Sequence, residues 1–173
     1  MSTEAESRDQ DRLEAGIYKL RERGHREIEA SYVEFFPGAS ATPGAWMMAK
    51  EWGVRWMLDA IASYQSVPKA IMAGKPVPEG HEDVITSTIR TKWDAYQQYW
   101  EFERAGHGAK LYLCPTDIET GEDLPRVLVQ EFDFAIVRSD LFTQGTTIRV
   151  WCGLDVDGET GKVQSILMLP CEY

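Results

Sequence analysis

The chain has 173 residues, a formal charge of −10 and a hydrophobic fraction of 43%. That length suits one domain whose core buries roughly 70% of the unfolded surface. The negative charge opposes contact with DNA, RNA or an anionic membrane through its average field. The excess is uneven, because residues 111–173 hold eleven acids against four bases while residues 1–110 hold seventeen against fourteen. Cys114, Cys152 and Cys171 are odd in number and lack CxxC spacing, so reduced, buried thiols are expected. No apolar run approaches 18 residues and the first twelve are polar, so the expected location is the cytoplasm, with no membrane contact.

Residues 1–10 read as a disordered polar leader. From 11 to 36, Leu13, Ile17, Leu20, Ile28 and Tyr32 recur at helical spacing among alternating charges, which predicts an amphipathic helix with a weak point at Gly24. A loop of Pro, Gly, Ala, Ser and Thr follows. The stretch 43–66 predicts a pair of core helices meeting at Gly53, with Thr42 as N-cap and Pro43 as first helical residue. In its second half Val54, Met57, Leu58, Ile61 and Ala62 form one stripe, and only Arg55, Asp59 and Ser63 stay polar. A Pro- and Gly-rich link precedes another helix predicted over 81–96, opened by Glu79, Glu82 and Asp83.

Beyond 97 the period changes to two. The segments 97–104, 109–114, 126–135, 146–154 and 162–170 are rich in β-branched and aromatic residues and are separated by turns carrying Gly and Asp. The expected fold is therefore α+β, with N-terminal helices on one face of an antiparallel meander of about five strands.

Certain residues carry a resemblance. Arg55-Trp56-Met57-Leu58-Asp59-Ala60-Ile61-Ala62-Ser63-Tyr64-Gln65 is similar to the helix Tyr-Trp-Leu-Leu-Asp-x-Ile-Ala-x-x-Gln of an uncharacterised bacterial family, a domain of unknown function common on phages, plasmids and other mobile elements. Gln97-Gln98-Tyr99-Trp100 resembles its Phe-Gln-Val-Trp strand, and Phe132-Asp133-Phe134-Ala135 echoes its Thr-Asp-Phe-Pro element. The terminal Leu169-Pro170-Cys171-Glu172-Tyr173 resembles Leu-Pro-Ser-Glu-Tyr. The departures at Cys171, Phe132 and Ala135 remove hydroxyl and proline groups of the pattern. The resemblance implies no particular activity.

Candidate sites are of three kinds. Asp59 on the polar strip and Glu172 after the last strand could split their pKa values and act as acid and base, if they share a cleft; the competing reading pairs Asp59 with Arg55 one turn away. Six tryptophans offer an aromatic groove or core filling, and Trp56, Gln65, Trp100 and Tyr173 are the pocket candidates. Glu119, Glu122, Asp123, Asp155, Asp157 and Glu159 are candidates for binding a basic partner. His25, His81 and His107 are scattered without metal-ligand spacing, and a calcium loop opened at Asp155 would end on Ile166 where a bidentate Glu is needed, so neither metal nor cofactor is expected. The expected function is that of a non-enzymatic acidic binding factor, of a regulatory or counter-defence kind, occluding a basic and nucleic-acid-binding surface of a partner protein. The alternative is a small hydrolase or small-molecule-binding protein using Asp59, Glu172 and a tryptophan-lined pocket.

Overall fold

The computed structural model describes residues 4–76 and 96–172. Helix α1 spans Glu4–Glu27, and strands β1 and β2 are Val33–Phe36 and Ala39–Ala41. Helices α2, α3 and α4 follow at Pro43–Glu51, Arg55–Ser63 and Ser66–Met72. Strands β3 to β7 are Gln97–Ala105, Gly108–Leu113, Val127–Phe132, Thr147–Val156 and Val163–Met168, and a 3-10 turn at Pro170–Glu172 comes after them. The helix expected over 81–96 lies, but for its last residue, outside the described residues.

The fold is α+β, with a sheet that corrects the expected five-stranded meander. Seven strands run in the order β1-β2-β7-β6-β3-β4-β5. All neighbours are antiparallel except β2 and β7, which are parallel. The two extra strands have only four and three residues, too short to show a period, and they flank the turn at Pro37-Gly38 that reads as loop. The order departs from a meander because β6 returns to the middle of the sheet. Its inward residues Ile148, Val150, Cys152 and Leu154 are all buried, while the alternate residues are not, so the core covers one face of this central strand. Strand β5 is only half-buried along its length, a pattern suited to an edge.

Helix α1 also departs from expectation. It begins at Glu4, inside the stretch read as leader, and stops at Glu27, so Ile28 and Tyr32 lie beyond it. Leu13, Ile17, Leu20 and Gly24 form its buried stripe. Gly24 does not break the helix. A Cβ there would lie 2.4 Å from the Pro43 carbonyl oxygen, so only glycine lets α1 pass the start of α2 at this point. Between α2 and α3, Gly53 takes the left-handed conformation, φ 66°, as its place in the sequence requires.

Helix α3 meets the sheet through aromatic contacts. Trp56 packs edge-on to Phe102 at 5.7 Å and tilted against Phe132 at 5.0 Å, and Tyr64 stacks on Trp100 at 6.1 Å. Trp100 and Phe102, together with Leu111, Leu113, Ile148 and Val150, are fully buried, each contributing about 1.5–3 kcal/mol by removal from water. The first residues of β6 lie beyond the last β6–β7 pair, Trp151 with Met168. There the Gln10 side chain stands in for a strand: its amide donates to the Thr147 carbonyl at 2.9 Å and its oxygen accepts from the Thr147 N–H at 2.8 Å.

Candidate functional site

Among the described residues, the Glu172 carboxylate is the acid with the most hydrogen-bond partners. The 3-10 turn folds the chain end back onto the N-terminus of α2, and the side chain is only 1% exposed. Oε1 accepts from the Thr42 hydroxyl at 2.6 Å, the Ala45 N–H at 3.1 Å and the Leu169 N–H at 3.0 Å. Oε2 accepts from the Gly44 N–H at 2.9 Å and lies 2.7 Å from His25 Nε2 on α1. Thr42 precedes Pro43 as expected, yet its side chain makes no cap bond of its own. The cap is supplied instead by Glu172, from more than a hundred residues away, and the helix dipole favours a negative charge there. Gly44 leaves the space, since a Cβ at that position would sit 2.7 Å from the Glu172 carboxyl carbon. His25 and Glu172 border a groove of 380 Å³ that Tyr32 and Thr42 also line.

Asp59 sits elsewhere in the bonding pattern. Its Oδ1 is 3.6 Å from Arg55 Nε, and the carboxylate shares no bonded partner with Glu172. Arg55 in turn donates to the Phe35 carbonyl at 2.6 Å, fastening α3 to β1.

Of the pocket candidates, Gln65 and Trp100 belong to a second polar cluster, fully inside. Gln65 and Gln98 are 1% and 0% exposed and exchange amide bonds, Gln65 Nε2 to Gln98 Oε1 at 2.9 Å and Gln98 Nε2 to Gln65 Oε1 at 2.8 Å. Gln65 Nε2 also donates to the Ile61 carbonyl at 3.1 Å, and Trp100 Nε1 donates to Gln98 Oε1 at 3.0 Å. Buried amides left unpaired would cost about 1–3 kcal/mol each, so this reciprocal pair ties the end of α3 to β3. Trp56 donates its indole N–H to the Ile136 carbonyl at 3.0 Å. Tyr173 lies outside the described residues.

The six acidic candidates gather by topology. Strand β4 runs toward the same end of the sheet as β6, because each is antiparallel to β3. The 114–126 connection and the 157–162 turn therefore leave the same end of the sheet, from the strands on either side of β3. Both are built on the same six-residue pattern, Asp117-Ile118-Glu119-Thr120-Gly121-Glu122 and Asp157-Gly158-Glu159-Thr160-Gly161-Lys162. In each, the Asp Oδ1 accepts N–H bonds from the second and third residues after it, at 2.8 and 3.2 Å. In each, the Thr hydroxyl accepts the N–H two residues on at 3.2 Å. The Asp157 carboxyl is held below its ordinary value by the N–H groups of Glu159 and Thr160. Asp123 closes the longer loop in an isolated bridge with Thr116, and Asp155 is paired with Gln164 in the β6–β7 ladder. Nearby Arg126 is engaged by Glu101 and Glu103 at 3.5 and 3.6 Å and lies over the Tyr112 ring.

Sequence reasoning missed His25 and Thr42 as partners of Glu172, since no local spacing links positions 25, 42 and 172. It also missed the Asp-x-Glu-Thr-Gly string that both turns share, a signal that the sequence does display. The thiols are placed as free cysteines: Cys152 is buried, Cys114 half-buried and Cys171 exposed. Among the described residues no three His, Cys, Asp or Glu side chains gather as a metal-ligand set, and no helix is long and apolar enough to cross a membrane. Compared with protein-family models, curated proteins and solved structures, the chain matches none.

Proposed function

We propose that the chain is a non-enzymatic binding factor that uses the acidic loop end of its sheet to occlude a basic surface of a partner protein. The observation that carries this reading is the convergence of the 114–126 and 157–162 segments on one end of the sheet, in identically bonded turns. Turns fixed by their own Asp side chains present carboxylates with little ordering cost on binding. Opposite charges at such a patch raise the association rate and select basic partners. The large buried carboxylate of the fold, Glu172, has both oxygens committed to capping and to His25, which leaves it a structural rather than chemical task. The resemblance to a mobile-element family suggests a regulatory or counter-defence setting, in which the occluded surface would be one that binds nucleic acid.

The test is a pull-down with the tagged chain and with a variant in which Glu119, Glu122, Asp123, Asp155, Asp157 and Glu159 are all changed to Lys. Washes at about 0.15 M and about 1 M salt bracket screening lengths of about 8 and 3 Å. The expected result is a basic protein held by the wild type at the lower salt, released at the higher, and missing from the variant. Equal capture by both chains would overturn the reading.

A further inference from the structure

We infer that the cleft between α4, the β1–β2 turn and the start of β7 binds a phosphorylated small molecule through Lys69, Lys75 and Lys162. The cleft has a volume of 520 Å³ and is lined by those three lysines with Ser66 and Glu34, a size typical of small-ligand sites, which span about 300–1,000 Å³. In a chain of net charge −10, three ammonium groups against one carboxylate reverse the local sign.

Lys69 is the central observation. It is half-buried, and its Nζ donates to the Gly38 carbonyl at 2.8 Å. No carboxylate among the described residues forms an ion pair with it. Burial lowers its pKa from the ordinary value of 10.5, because a desolvated ammonium without a counter-charge is costly. An anion arriving in the cleft would supply that counter-charge. Lysines present compact point charges rather than planar forks, and three of them in one cleft suit a multiply charged phosphoryl group more than a single carboxylate. The Ser66 hydroxyl adds a donor, and Ala70 and Val163 on the same lining offer apolar contact for an organic body. A long polyanion fits poorly, since the turn that carries Lys162 also carries Asp157 and Glu159, whose field repels an extended phosphate backbone.

The experiment is isothermal titration of the full chain with pyrophosphate at about 20 mM salt, where charge contacts are little screened. The expected result is one saturable site with a dissociation constant below about 1 mM. Lys75→Ala and Lys162→Ala, both at exposed positions, should each weaken binding about tenfold, as loss of one close charge does at a partly screened site. Lys69→Met should abolish it, with circular dichroism melts confirming that each variant is folded. Absence of a saturable site in the wild type would overturn the inference, as would an unchanged constant in the Lys75→Ala/Lys162→Ala double variant. Tighter binding of a short single-stranded oligonucleotide than of pyrophosphate would overturn it too, by assigning the lysines to nucleic acid.

Discussion

Glu172 replaces the local cap that a helix normally carries. Three backbone N–H groups and the Thr42 hydroxyl depend on its two oxygens, so truncation strands several buried donors at once. Glu172→Ala should therefore destabilise the fold by about 3 kcal/mol, since bonds to a charged acceptor are worth about 1.5–3 kcal/mol each and do not add fully. Glu172→Gln preserves the shape and offers one acceptor oxygen, so its cost should be about half as large. His25→Ala should cost less than about 1 kcal/mol, because that ring is 47% exposed and a solvent-facing polar contact contributes little. Urea unfolding of the three variants checks the ranking. Equal losses for His25→Ala and Glu172→Ala would mean that the His25 contact, not the cap, holds the chain end.

At the scale of elements, the Gln65–Gln98 exchange makes a sharper claim than any single contact. Each amide is the other's partner, so replacing one takes a buried hydrogen bond from the other, although Gln65 keeps its bond to the Ile61 carbonyl and Gln98 its bond from the Trp100 N–H. Gln65→Leu and Gln98→Leu should each cost about 2 kcal/mol, and the double variant should cost clearly less than their sum. A double-mutant cycle by thermal or urea unfolding gives the coupling, and strict additivity would show the pair to be independent. How far the elements could be read in advance follows the same physics. The α2–α3 pair was legible because an apolar stripe and a glycine with φ 66° are both local signals. The segments of β3 to β7 were legible from their alternation. By contrast β1 and β2 were too short for a period, and the end of α1 was hidden because Ile28 and Tyr32 continue its spacing after the helix has stopped. The central place of β6 and the meeting of His25 with Glu172 are long-range choices, made by burial and by unsatisfied donors that no local pattern displays.

For the whole molecule, the three thiols provide a reporter of how the sheet opens. Cys152 lies in β6 with strands on both sides, is fully buried, and burial pushes its thiol up from 9.0 to about 12. Cys114, at the end of β4, is also pushed to about 12, first by burial and then by Glu101. Cys171 is exposed and its thiol is raised by burial and by Glu172. Only the thiolate attacks a disulfide reagent, so raising a thiol from 9.0 to about 12 leaves far less of it reactive near neutral pH. Cys171 should accordingly react first with an aromatic disulfide at pH 8, and faster as pH rises. Cys152 should react only when the sheet unfolds, which restores both access and an ordinary thiol. If the sheet opens as one unit, the Cys152 labelling rate will rise with urea along the same line as the global unfolding rate. A labelling rate that stays flat in urea would instead place a local opening between β6 and β7, where the pairing stops at Met168 and Gln10 continues the edge. Gln10→Ala separates the two cases further: in a cooperative sheet it speeds Cys152 labelling only as much as it lowers overall stability, whereas a local gate would open selectively.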